Sequence, residues 1–228
     1  MLETLRAEVL EANLEVVRRG LVIYTFGNAS GLAREQGLLA IKPSGVPYDK
    51  MTPADMVIAD LEGRVVEGSL RPSSDLATHV ALYRAFPMIG GIVHTHSRHA
   101  TAWAQAGREI PCFGTTHADY FHGSVPVTRH LTAAEIDADY EGNTGVAIVE
   151  LMQGREPLAV PGALVAGHAP FCWGKTAADA AHVAVVLEQL AAMAAETIAI
   201  NPAAKPISEA QLNKHYFRKH GPKATYGQ

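Results

Sequence analysis

Short β-rich runs and capped helical stretches interleave along the whole chain, and this alternation limits the possible folds more than any other feature. Leu5, Val9, Ala12 and Val16 recur at near-helical spacing, Leu10, Leu14 and Val17 widen the stripe, and Gly20 closes it. That pattern predicts an amphipathic helix over residues 3–19. The run Leu21–Phe26 predicts a strand entering a turn at Gly27–Gly31, and Leu38–Lys42 predicts a second strand, broken by Pro43-Ser-Gly45. Thr52-Pro-Ala-Asp55 has the composition of a short helix start, and Met56–Asp60 with Arg64–Glu67 reads as a hairpin. A helix is expected from near Ser74 to before Pro87, a strand over Gly91–His96 and a helix over Ser97–Ala106. Strands also fit Gly145–Leu151 and Ala163–His168. The capping-box sequences Thr132-Ala-Ala-Glu135 and Thr176-Ala-Ala-Asp179 open two further helices, the second Ala-rich and halted by Pro202. Ser208 starts a last short helix.

There is no internal repeat, and Pro202–Pro206 is the only linker-like spot, so the 228 residues read as one α/β domain, 1–228. Its hairpin signals favour a mixed, largely antiparallel central sheet between helices. With 48% hydrophobic residues the chain can bury a sizeable core. A net charge of −4 excludes the basic balance of a general nucleic-acid binder, and the short basic run Lys214–His220 reads as a solvated face. Two cysteines, Cys112 and Cys172, cannot form a disulfide framework, which favours a reduced, cytoplasmic setting. Charges within Met1–Arg19 break any signal-peptide core. Pro157–Gly174, uncharged throughout, carries three prolines, three glycines and His168, and reads as loop and buried strand. No membrane segment is expected.

Chemistry concentrates at His94-Thr-His96. On a strand, alternation places both imidazoles on one face, roughly 7 Å apart along the backbone, which suits convergence on one metal ion. His168 is a candidate third ligand and Asp75 a candidate oxygen donor, a set suited to Zn²⁺ or another divalent first-row metal. An H-x-H pair is equally compatible with an incidental role, and a lone His168 with a hydrogen-bonded core residue. Gly27-Asn28, Lys42-Pro-Ser-Gly45 and Ser73-Ser74 offer amides, hydroxyls and one ammonium that suit a phosphate, although each is also ordinary turn chemistry. Gly114–Tyr120 gathers Thr115, Thr116, His117, Asp119 and Tyr120, either a polar catalytic cluster or a capped helix start.

Taken in order, several segments resemble one family. They are Val9–Leu14, Gly27-Asn28, Ile41–Val46, Pro72-Ser-Ser-Asp75, Gly90–Thr101, Gly114–Tyr120, His215-Tyr216, Arg218–Gly221 and Tyr226-Gly-Gln228. Over essentially the full length, the chain is similar to the sugar-phosphate 4-epimerases of the class II (metal-dependent) aldolase/adducin-head family. That resemblance implies a homotetramer with sites between subunits and Zn²⁺ held by His94, His96 and His168, with Asp75 at the fourth position. It implies substrate and phosphate contacts from Gly27, Asn28, Ser44, Gly45, Ser73 and Ser74, to which the residue types add Lys42. His215 and Arg218 match polar residues near the site. Asp119 and Tyr226 match the acid/base pair, contributed by a neighbouring subunit. The implied reaction epimerises L-ribulose 5-phosphate at C4 to D-xylulose 5-phosphate, by retro-aldol cleavage through an enediolate and glycolaldehyde phosphate and re-addition. Two departures stand out: Ala169 follows His168 where the pattern has Gly, and Met152–Pro161 is shorter than in familiar relatives. The alternatives are a class II sugar-phosphate aldolase of the L-fuculose-1-phosphate type, which carries Glu where Asp75 stands, and a metal-free adducin-head-like binding module.

Overall fold

The computed structural model describes residues 2–221 together with Ala224 and Thr225. Three of its described helices begin at a side-chain cap, on Thr132, Thr176 and Ser208. Thr132 and Thr176 each accept from the backbone amide three residues on, while Glu135 and Asp179 reach back to the cap. Those reciprocal bonds satisfy amides that a helix cannot pair internally. The helices are α1 (Leu2–Arg18), α2 (Leu76–Ala85), α3 (Arg98–Gln105), α4 (Thr115–Ala118), α5 (Ala133–Leu151), α6 (Ala177–Ile200) and α7 (Glu209–Lys219). The strands are β1 (Asn28–Ala33), β2 (Leu38–Ile41), β3 (Val57–Asp60), β4 (Val65–Glu67), β5 (Gly91–His94), β6 (Gly162–Leu164) and β7 (Pro170–Gly174).

All seven strands form one sheet in the order β4-β3-β2-β1-β5-β7-β6, with every pairing antiparallel. The largely antiparallel sheet expected from the hairpin signals is what forms, and the isolated bridge of Val127 to Leu164 of β6 is parallel. Side-chain alternation divides its two faces. Ser30 of β1 turns to α2, where its hydroxyl meets His79 Nδ1 at 2.7 Å and Tyr83 Oη at 2.8 Å. Gly31, next along, turns to the opposite face, where a Cβ would lie 2.9 Å from Val9 of α1 and 3.6 Å from Ala177 of α6. Only a glycine lets those helices sit so close to the strand. The core is thus a sheet between an α1/α6 layer and an α2/α5 layer, with Leu39, Ile58, Ile92, Phe171 and Trp173 fully buried. Helix α6 is long and apolar enough to cross a membrane by length and composition alone. Here Leu187, Leu190 and Ala191 are buried in the shared core, packed with α1, α3, β5 and β7.

Two strand expectations are overturned. Leu21–Phe26 forms no strand: Tyr24 adopts φ 55°, and Ile23, Tyr24 and Phe26 are exposed. Strand β1 begins instead at Asn28, inside the stretch read as turn, because that is where β5 and β2 offer partners, Asn28 opposite His94 and Ser30 opposite Ile41. β-propensity reflects fit to neighbouring strands, and the apolar run has none. Gly145–Leu151 is the second half of α5, whose Thr144, Gly145, Ala147 and Ile148 are buried at helical spacing. Burial against α2 outweighs the local preference of its β-branched residues. Other elements lie within a few residues of expectation, including the β3–β4 hairpin and the 3₁₀ turn Pro53–Asp55.

Candidate active site

Three backbone devices bring the histidines together. β5 ends at His94, so strand alternation does not carry through to His96, which lies in the bend before α3. His168 is not at a strand end either: it sits in the tight β6–β7 turn, where Val165 N donates to Ala169 O at 3.0 Å and His168 N to Val165 O at 2.9 Å. Gly27 (φ +78°) turns the chain into β1 directly beneath this bend, and a Cβ there would lie 2.7 Å from His94 O. The result is a near-equilateral triangle, with each pair of rings among His94, His96 and His168 separated by 4.9 Å between centroids. One ligand nitrogen from each lies within 4.8 Å of the others.

The His94 tautomer follows from its surroundings. Its Nδ1 lies 3.0 Å from Pro170 O, a pure acceptor, so Nδ1 carries the hydrogen and Nε2 keeps its lone pair. The ring also stacks on Phe171 at 4.2 Å. His168 Nδ1 is buried and has no hydrogen-bond partner, as expected of a donor atom whose partner is an ion. Burial pushes all three imidazoles below their ordinary value, His168 to about 4, so they stand neutral with lone pairs available. Asp75, the residue before α2, faces them with Oδ2 3.9 Å from His94 Nε2. Burial works to raise its carboxyl, yet it is held below the usual range, with the Asn28 amide donating to Oδ2 at 2.6 Å. Three neutral imidazoles and one carboxylate fit a first-row divalent ion.

Gly27, Asn28, Lys42, Ser44, Gly45, Ser73 and Ser74 line the same cavity of about 350 Å³ as these four residues. Lys42 is almost fully buried, its ammonium donates to Pro43 O at 3.2 Å and lies 4.7 Å over the Tyr48 ring, and burial pushes it down to about 8. An anion in the cavity would meet this ammonium and the hydroxyls of the two serine turns. Tyr140, Glu141, Thr25 and Phe26 also line the cavity and were not among the sequence candidates. Tyr140 and Glu141 follow the non-helical residue Asp139 within α5, and its φ of −165° leaves no mark in the local sequence.

Asp119 lies elsewhere. It follows α4 and is gripped by α7: Arg218 donates at 2.9 and 3.2 Å, His215 Nδ1 at 3.2 Å, and Lys219 lies 3.7 Å away. Burial raises this carboxyl, but Arg218, His215 and Lys219 outweigh it, so Asp119 stands ionised. None of Asp119, His215 and Arg218 lines the histidine cavity. Tyr226 falls outside the described residues.

Two further buried imidazoles give the chain an acid limit. Burial holds His117 at about 4 and His79 at about 3, against about 6.5 for an ordinary histidine. The unfolded chain binds these protons as pH falls below about 6.5 while the folded chain refuses them, so stability present above that pH is lost towards about pH 4 for His117 and about pH 3 for His79. Urea unfolding of metal-free protein is expected to show ΔG falling through this window by up to about 1.4 kcal/mol per pH unit for each histidine. His117→Gln should flatten the slope, and an unchanged slope would remove His117 from the account.

Residues 7–195 match the Class II Aldolase and Adducin N-terminal domain. The chain belongs to that family. It is 55% identical over 227 residues to the L-ribulose-5-phosphate 4-epimerase UlaF of Salmonella paratyphi C (strain RKS4594), which covers 100% of both chains. Among solved structures, an L-fuculose 1-phosphate aldolase superposes with TM-score 0.83 over 94% of this chain and 95% of its own, at 23% identity. YgbL from Klebsiella pneumoniae, described as a putative aldolase/epimerase/decarboxylase, superposes with TM-score 0.73 over 94% and 98%, at 24% identity. At those identities the two structures speak for the fold, which is that of the class II aldolases.

Proposed function

We propose that the chain is a metal-dependent 4-epimerase interconverting L-ribulose 5-phosphate and D-xylulose 5-phosphate. The observation that carries this reading is the end-to-end 55% identity with the UlaF epimerase, and the His94–His96–His168 triangle supports it. His94, His96, His168 and Asp75 would hold a divalent ion, Zn²⁺ by preference for this donor set. When bound, that ion supplies Lewis-acid polarisation of the ketose oxygens.

The chain's own residues supply the rest. The 5-phosphate is received by Lys42, Ser44, Gly45, Ser73 and Ser74, with Gly27 and Asn28 lining the same cavity. A carboxylate held ionised, as Asp119 is, suits removal of the C4 hydroxyl proton. The C3–C4 bond then breaks, and its electron pair stays on the three-carbon fragment while C4 becomes the aldehyde carbon of glycolaldehyde phosphate. Rotation of that aldehyde presents its other face, the bond reforms, and the new alkoxide takes a proton from a second group, assigned to Tyr226. A tyrosine with an ordinary value near 10 is a fitting donor to an alkoxide. Throughout, phosphate contacts retain the fragment.

Asp119 belongs to this chemistry only if another copy brings it to the cavity. The proposal is therefore a homotetramer of catalytic domains spanning 1–228, with active sites between subunits. Two observations support it: Asp119 lies outside its own chain's cavity, and Tyr24 and Phe26 are 86% and 54% exposed beside it. A soluble cytoplasmic enzyme acting on a small sugar phosphate, with no membrane or nucleic-acid partner, completes the reading.

Product analysis on L-ribulose 5-phosphate tests it. D-xylulose 5-phosphate is expected, abolished by a chelator and restored by Zn²⁺. Accumulation of free glycolaldehyde phosphate and dihydroxyacetone without epimer would make the chain an aldolase. Purified protein that carries no divalent ion, and gains no activity when one is added, would make it a binding module.

A further inference from the structure

Of the three histidines, only His94 has a ring hydrogen bond among the described residues, and of the other two His96 is the one not carried on a closed turn. His94 is fixed through Nδ1 to Pro170 O and by stacking on Phe171. His168 is carried on a tight turn closed by two backbone bonds. The His96 ring has ring neighbours, Phe26 among them at 6.1 Å, but no hydrogen-bond partner among the described residues. Its position therefore depends on the backbone of Thr95–Ser97, which leads straight into the first turn of α3.

That first turn lacks the usual cap. Ser97 occupies the N-cap position in extended conformation, makes no side-chain cap bond, and its hydroxyl is buried without a partner. The cap comes instead from α6. Glu188, 7% exposed, accepts from His99 N through Oε1 at 2.8 Å and from Ala100 N through Oε2 at 2.9 Å. The same Oε1 lies 2.8 Å from His99 Nδ1. Further along α3, Trp103 Nε1 donates to Ala191 O at 3.0 Å, so α6 holds α3 at two places. A buried carboxylate bonded to two helix-start amides makes charge-assisted bonds favoured by the helix dipole. Both of its oxygens are engaged by amides three and four residues past His96.

We infer that Glu188 is a positioning residue for the metal centre: by capping α3 from a separate helix, it sets the backbone that aims the His96 imidazole. The inference rests on the metal-dependent reading above. It goes beyond helix stability because no side chain orients His96 through a hydrogen bond, so its aim depends on the backbone between the end of β5 and the first turn of α3 that Glu188 caps.

Glu188→Gln is the informative change. The carboxamide keeps the shape and one acceptor but turns an NH₂ towards an amide N–H, so one of the two caps is lost. Zn²⁺ affinity, read by competition with a chromophoric chelator, is expected to weaken by about tenfold, the lower end of what supporting residues around a metal contribute. Glu188→Ala should weaken it further if it folds. Thr132→Ala removes the cap of α5, a helix with no side-chain hydrogen bond to α3 among the described residues, and serves as the control: it should lower the melting temperature of metal-free protein while leaving Zn²⁺ affinity unchanged. Wild-type affinity in Glu188→Gln would overturn the inference, as would an equal loss in Thr132→Ala. Wild-type protein that binds no Zn²⁺ would instead overturn the metal reading, and this inference with it.

Discussion

Replacing His168 by alanine is expected to empty the metal centre and lower epimerase turnover by about a thousandfold. A divalent ion supplies several kcal/mol of charge stabilisation to the cleavage step, and about 4 kcal/mol corresponds to three powers of ten. His168 is the best of the three histidines for this test. His94 is buried against Phe171, so removing it opens a hole in the core. His168 sits partly exposed on a turn closed by backbone bonds, and its Nδ1 has no protein partner to lose. The metal-free variant should therefore melt within a few degrees of metal-free wild type, so lost activity cannot be blamed on unfolding. Metal analysis and a coupled assay for D-xylulose 5-phosphate provide the measurement. A variant that keeps its metal and more than a tenth of its turnover would exclude His168 as a ligand.

Asp119→Asn is expected to slow turnover by a factor of 10²–10⁴ with metal content unchanged, the usual range for loss of a positioned acid or base. The amide keeps the shape of the side chain but cannot take the C4 hydroxyl proton. It also weakens the grip of Arg218 and His215, which the carboxylate now holds at 2.9 to 3.2 Å. Tyr226→Phe should give a comparable fall, again with metal retained. The two substitutions affect two successive proton transfers of one turnover, and the slower step sets the rate, so the double variant should be little slower than the worse single one. Mixing inactive His168→Ala with inactive Asp119→Asn protein adds a test of site sharing. If Asp119 serves a neighbour's metal centre, mixed assemblies regain sites with both residues intact and activity returns. No recovery under conditions where subunits demonstrably exchange would place both residues in one chain's site.

Much of this site is written in local sequence. Thr132 and Thr176 announce their helices because capping is local chemistry, decided within four residues. The serine and glycine turns at 43–45 and 73–75 are local in the same way. Their type and order, with His94-x-His96, carried the family resemblance and hence the candidate ligands.

Other features depended on partners far along the chain. Leu21–Phe26 has the stronger β character, yet the strand forms at Asn28–Ala33, because β2 and β5 pair there and α1 needs the small residues. Gly145–Leu151 is helix because α2 covers it. The spacing of His94 and His96 suggested a shared face on one strand, whereas the structure unites them across a strand end and a bend, with His168 brought in by a hairpin. Tyr140 and Glu141 reach the cavity through a break in α5, and Glu188 reaches α3 from a helix about 90 residues on in sequence. The sequence by itself determined which chemical groups were available and where local backbone hydrogen bonding would start and stop each helix. The tertiary structure alone decided which of those groups meet, because long-range strand pairing and burial outweigh local preference once the core closes.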